Sequence, residues 1–381
     1  MGISALQLKL FVYTPLKMMP DQGEQTPFYP SRPTLKLDGQ KNDALSDALL
    51  TLFVEETTLG LARCEAHFSN WGPKNNSVDF LFFDRQAIDF GKDFAVEVGP
   101  PDSAAEIFKG RIAGLEAQYP SQRDAELTLL AEDRFQDLRM ERRTRSFENM
   151  SDSDVISQIA SQHGLTAQVD ANGPTYRVLT QVNQSDLAFL RERAAAVDAE
   201  LWMDDRTLHV QAHANRNGGT LDLNYSREGH NLLEFSVLAD LAHQRTAVLV
   251  SGWDISAKAK FDEEATDSVI SGELNGDRGG SSILGQALAA RKERIASSVP
   301  MSQQEAQSMA KARYRERARQ FLKGKGIANG NPRIRVGVTL TMTGLGPMFD
   351  GKYYVTLTRH TFDRRHGYRT TFETTRPGIG G

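Results

Sequence analysis

Residues 334–342, IRVGVTLTM, put Ile334, Val336, Val338, Leu340 and Met342 on one side of an extended chain and Arg335, Gly337, Thr339 and Thr341 on the other. A period of two is the pattern of a strand with one buried face. Such a strand needs partners, so the chain must build a sheet with a core on one side. Phe94, Val96 and Val98 alternate with Ala95 and Glu97 in the same way, and Leu127, Leu129 and Ala131 do so less cleanly. Ala247-Val248-Leu249-Val250 reads as a further strand.

The chain divides by pattern. Residues 1–33 read as an extension, because Pro15, Pro20, Pro30 and Pro33 oppose a compact element; Phe11-Val12-Tyr13 could add a short strand elsewhere. Residues 34–140 are mostly strand. Over 141–215 the pattern becomes that of a small α/β domain. Ser151-Asp152-Ser153-Asp154 offers a helix start, Val155, Ile156, Ile159 and Ala160 form a stripe, and Gly164 is a stop. A strand-like Tyr176–Leu179 follows, then a hairpin of Leu201–Met203 and Thr207–Val210 around Asp204-Asp205-Arg206. From 216 to 381 strands return, with a glycine-rich loop at 275–280 and a helical insertion near 284–324. Its long helix opens with a Ser302–Glu305 capping box and stops near Gly324. A length of 381 residues suits two or three such units.

The run QVNQSDLAFLRERAA, 181–195, looks catalytic in composition. Local physics favours a helix start. Ser185 is a good N-cap, Asp186 sits where the helix dipole favours a carboxylate, and Leu187, Leu190, Ala194 and Val197 give an apolar stripe.

Other candidates for chemistry are weak. His209 and His213, four apart on a strand, would lie roughly 13 Å from one another at ~3.3 Å per residue, too far to share an ion. Asp89-Phe90-Gly91 has no phosphate loop beside it. Gly280–Gly285 lacks the glycine a nucleophile elbow needs and reads as a flexible loop. Arg359 and His360 read as interface or core residues at a strand end. Cys64, the one cysteine, excludes a disulfide framework and reads as a small buried residue. A net charge of −4 does not suit a nucleic-acid binder. Lys311, Arg315, Arg319 and Lys323 share a side of the helix at 302–323, with Arg313 and Arg317 roughly opposite; a solvated or partner-facing surface is the plainer reading, and a lumen-facing basic patch the sharper one. No run approaches the ~18 apolar residues of a membrane span, and no secretory signal is visible, so a cytoplasmic origin is expected.

Two segments echo one another. Phe108-Lys109-Gly110-Arg111 and Phe349-Asp350-Gly351-Lys352 each follow a strand and lead into a strand, a turn and another strand. A repeat of this kind would let three copies present six similar surfaces.

The runs Arg145–Asp154, His163-Gly164-Leu165, Gln181–Arg193, Glu200-Leu201-Trp202, Asn231–Phe235, Val250–Asp254 and Gly351–Val355 with Arg359-His360 resemble the phage late control protein D family. That family supplies baseplate hubs of contractile phage tails and related injection machines. The likeness follows nearly all of 34–376 in order and is weakest in 1–33 and 256–300. It implies a β-rich α+β fold: two tail-tube-like β-barrel domains, 34–140 and 216–381, with the small α/β domain inserted between them. It implies a homotrimer that adapts a sixfold tail tube to a threefold spike at the baseplate of a phage or injection particle. A tail tube protein and a separate spike protein would be partners, since the chain ends where related type VI spike proteins continue into a barrel and needle; the tape-measure protein and baseplate wedge are further candidates. No catalytic, cofactor-binding or metal residue is implied. Gly110, Gly351, Ser185, Asp186, Trp202, Trp253, Arg359 and His360 are the interface and architectural candidates. The rival class is a peptidoglycan-binding or peptidoglycan-hydrolysing tail protein, but Asp204-Asp205 lack a second carboxylate partner across a cleft.

Overall fold

Thirteen strands run in one continuous sheet. The computed structural model describes residues 32–381 except Asn172 and segments 226–230, 255–257 and 297–299. The extension expected over 1–33, with its strand at Phe11–Tyr13, lies outside the described residues but for its last two. The fold is mostly β, with few helices.

The first six principal strands are β1 Thr34–Leu37, β2 Leu49–Thr57, β3 Arg63–Ser69, β4 Asp93–Val98, β5 Ala105–Gln118 and β6 Glu126–Glu132. Next come β7 Arg142–Ser151, α1 Asp152–Gln162, β8 Thr166–Asp170, β9 Thr175–Ser185, α2 Asp186–Ala196, β10 Ala199–Asp204 and β11 Thr207–Ala212. These pack around their own core, which includes Val155, Ile156, Ile159, Leu190 and Leu208. β12 Thr220–Asn224 and β13 Leu232–Ala239 return to the large sheet. An excursion follows: β14 Ala247–Asp254, β15 Ala259–Ala265, α3 Gly280–Leu288, β16 Lys292–Ile295 and α4 Gln303–Arg319. The chain closes with β17 Leu322–Asn329, β18 Thr339–Thr343, β19 Gly351–Asp363 and β20 Gly367–Arg376.

The large sheet is one six-stranded pattern used twice. In the first unit the spatial order is β1-β4-β5-β6-β3-β2; in the second it is β12-β18-β19-β20-β17-β13. Read in chain order, each strand has its counterpart. The correspondence holds residue by residue. Ile112 faces Ala131 as Val355 faces Thr374, and Gln118 faces Glu126 as Thr361 faces Arg369. Each long strand carries a one-residue bulge at the next position, Ala113 and Thr356. A second pair of bulges matches too: Leu49 faces Phe68 and Leu232 faces Ala328, with one extra residue following in each case. Gly91 donates its N–H to the Ile112 carbonyl (2.9 Å) as Gly337 does to Val355 (3.0 Å), both at positive φ, 80° and 92°. Bulges are specific features of a strand pair, so their coincidence marks a real repeat. One pairing differs: β1 lies antiparallel to β4, whereas β12 lies parallel to β18.

Some expectations are corrected. The alternating run at 334–342 is strand only from Thr339, because Gly337 breaks it, although Ile334, Val336 and Val338 stay buried. The long helix ends at Arg319 rather than near Gly324; Lys323 and Gly324 belong to β17, where Lys323 pairs with Thr375 and Leu238. Gly280–Gly285 is not a loop but opens α3. At Ser302 the cap accepts from Glu305 N–H (3.2 Å), but Glu305 returns its bond to Met301 rather than to Ser302. The echo is also shifted: in register, Gly110 corresponds to Tyr353 and Gly351 to Phe108. Among the described residues the sheet path is open, ending at β13 and at the short strand Gln40–Lys41 beside β1.

Candidate functional site: the junction between the two sheet units

The two units meet where β19 lies antiparallel to β2, from Leu357 opposite Thr57 to Asp363 opposite Thr51. β19 is long enough to serve both units. Its first residues pair with β18 and its last seven with β2. Phe362 and Tyr368 of the second unit are buried in the core of the first, with Leu52, Val54 and Phe68.

Charges stitch the polar face of this junction. Arg359 Nε donates to Glu55 Oε2 at 2.6 Å, and Arg63 holds the other oxygen of Glu55 at 2.9 Å. On the opposite face Arg335 makes a two-pronged pair with Glu56, and Thr358 sits beside it. Burial, the largest single influence, would raise the Glu56 carboxyl, but the charge and hydrogen bond of Arg335, with smaller help from His360 and the Val336 backbone, together outweigh it and the net shift is downward. His360 is wholly buried, with Nδ1 in hydrogen-bond contact with the Tyr368 hydroxyl at 2.8 Å. Burial and the nearby Arg335 charge push its pKa down to about 3. Arg364 closes the far end by donating to the Leu49 and Asp47 carbonyls.

The glycine candidates are both constrained. A Cβ at Gly110 would collide with the Glu132 carbonyl and the Phe108 ring. Gly351 has φ 144° and would press a Cβ within 2.5 Å of the Arg376 guanidinium. That guanidinium cannot yield, since it is held by Asp277 at 2.7 Å and by the Asp350 carbonyl at 2.9 Å. Gly110→Ala is expected to cost about 2–3 kcal/mol through overpacking, read as a lower urea midpoint at unchanged slope.

The small α/β unit is clamped to the sheet by buried ion networks. Glu200 accepts from His213 Nδ1 (2.7 Å), Arg216 (2.7 Å) and the Tyr354 hydroxyl of β19 (2.6 Å). Arg216 lies 4.2 Å from the Trp202 ring, whose other neighbour is His209, stacked at 5.0 Å. The two histidines therefore serve different partners. Arg319 of α4 joins Asp198 and Glu273. Arg313 and Arg317 are taken by Glu293 and Glu316, so most of the helix's basic residues are paired within the chain. Trp253 stands apart on β14, 53% exposed. Cys64 is buried in the first core, its thiol pushed well up by burial.

Ser185 does cap α2, accepting from Ala188 N–H at 3.2 Å. Asp186 does more than the sequence indicated. It is 1% exposed and accepts from His163 Nε2 (2.8 Å), Arg145 (2.7 Å) and Gln181 (2.9 Å). Sequence reading missed Asp152, which holds Arg193 and Tyr176, and the Glu56–Arg335 pair, whose partners lie far apart in the chain. Among the described residues no group of three or more His, Cys, Asp or Glu is placed to hold a metal ion, and no helix is long and apolar enough to cross a membrane.

This is the fold of phage tail proteins. The 43 kDa tail protein of prophage MuSo2 from Shewanella oneidensis superposes with a TM-score of 0.64 at 12% identity, over 91% of this chain and 98% of that one. The tail protein from Neisseria meningitidis MC58 gives 0.62 at 14%, over 92% and 97%. The E. coli c3393 protein, described as a type VI secretion component similar in structure to T4 tail proteins gp27 and gp5, gives 0.52 at 14%, over 91% and 79%. By sequence, the chain belongs to the family described as the Alg8 N-terminal domain (Alg8_N), whose model matches residues 72–363. No curated protein matches it.

Proposed function

We propose that this chain is a structural hub of a contractile tail or injection particle, of the late control protein D type. It works as a homotrimer at the baseplate, joining a sixfold tail tube to a threefold spike, and it carries no catalytic role. In this reading residues 34–140 and 216–381 act as two tube-like barrel domains, open in the single chain and completed on assembly, with 141–215 as the inserted module. The observation that carries it is the six-stranded unit repeated in register, bulges included. Three copies of a twofold repeat offer six near-equivalent sheets to one neighbour and three distinct surfaces to another. The tail-protein fold supports the same reading. The spike, the tail tube, the tape-measure protein and the wedge are the proposed partners, with assembly in the cytoplasm.

Light scattering is expected to give three times the chain mass of 42.3 kDa, and class averages to give a ring with six outer lobes. A stable monomer would overturn the hub. Clearing of peptidoglycan in a zymogram would favour the rival hydrolase.

A further inference from the structure

We infer that β5 of one copy pairs edge to edge with β13 of the next, in the register that β19 and β2 use inside the chain. The inference rests on the trimer reading above and specifies its interface.

The junction supplies its own template. Past Val355, β19 turns its edge from β18 to β2. β5 leaves β4 at the corresponding residue, Ile112, yet among the described residues no strand takes its edge over 114–118. β2 uses one edge for β3 and the other for β19. Its counterpart β13 has β17 on one edge and, among the described residues, no strand on the other. The two vacant edges are thus the counterparts of the two occupied ones. An uncovered edge is a template for another chain, and a second copy carries the complementary one.

The side chains fit this occupant. Inside the chain, Thr358, His360 and Phe362 face Glu56, Val54 and Leu52. The corresponding pairs between copies are Leu115 with Ala239, Ala117 with Val237 and Tyr119 with Phe235. All three are uncharged, whereas the internal set includes a half-buried carboxylate and a buried histidine. Tyr119 is 67% exposed, while its counterpart Phe362 is 6% exposed. On the other face Glu116 meets Leu238, which is 62% exposed and pairs within its own chain with Lys323. An acid of one copy and a base of the next then flank a leucine across two strand spacings, about 10 Å. Tyr119 on one edge and Leu238 on the other, both largely exposed in the single chain, are covered in one step.

The test is a cysteine pair in the full chain. Gln118 and Ser236 fall opposite one another, at a separation a disulfide spans. Q118C with S236C is expected to give a covalent trimer under mild oxidation. Glu116→Cys with Glu234→Cys, four residues out of register, is expected to give none. A trimer by scattering that cross-links through neither pair, or only through the second, overturns the interface and leaves the hub reading intact. A chain that is monomeric by scattering overturns both. Separately, Tyr119→Ser, which also removes the edge-on contacts of Tyr119 with Phe80 and Phe83 in its own chain, is expected to lower the melting temperature of the single chain only slightly and to raise the trimer dissociation constant at least tenfold. An unchanged constant overturns the interface.

Discussion

Replacing Asp186 by alanine is expected to destabilise the chain by about 3–5 kcal/mol, measured by urea unfolding. The carboxylate is buried and satisfies three side chains at once: Arg145, His163 and Gln181. Burial alone would raise the Asp186 carboxyl; the bonds from His163 and Gln181 and the charge of Arg145 reverse that and hold it below the ordinary range. Deleting it leaves the Arg145 guanidinium and the Gln181 amide each short of one partner at a buried position. Ser185→Ala, one residue away, removes only a cap bond and should cost about 1 kcal/mol. Equal losses at the two positions would mean that Asp186 is merely part of the helix start.

That contrast defines what the sequence made legible. Local signals were readable: Ser185 and Ser151 cap helices as their spacing indicated, and the apolar stripe of α1 is wholly buried. Period-two alternation located β4 and β6. What stayed hidden depends on residues distant in the chain. Nothing beside Glu56 announces Arg335, and nothing beside Asp186 announces Arg145. The α4 helix misled because its basic periodicity continues into Lys323, although the chain has already become a strand there. The repeat was visible as an aromatic-x-Gly-basic echo, but the true register is offset by two residues. Bulges and pairing carry the repeat, and neither leaves a local mark in sequence.

The junction joins the two sheet units stiffly. The sheet passes unbroken from one unit to the other, and Phe362 fills the neighbouring unit's core. The α/β unit is fixed to β19 through Tyr354 and Glu200, so that one strand connects both sheet units and the α/β unit. Loss of β19 geometry would then be felt by all three.

His360 sits at that crossing, and its substitution is expected to give the largest pH effect. With a pKa pushed down to about 3 from an ordinary 6.5, the native state refuses a proton that the unfolded chain accepts. Its contribution is therefore fully present above about pH 6.5 and is lost as pH falls toward 3. Between pH 7 and pH 4 the wild type should lose about 3 kcal/mol through this group. His360→Asn keeps a side chain that can hydrogen-bond the Tyr368 hydroxyl and has nothing to titrate, so the loss should vanish from its pH profile even if its stability at pH 7 is lower. Asp133, pushed up to about 7 by burial, acts in the opposite sense, losing its contribution as pH rises. It is common to both chains and cancels in the difference. Parallel profiles for the two chains would mean that the buried imidazole accepts its proton without unfolding, and that the junction has room to admit water.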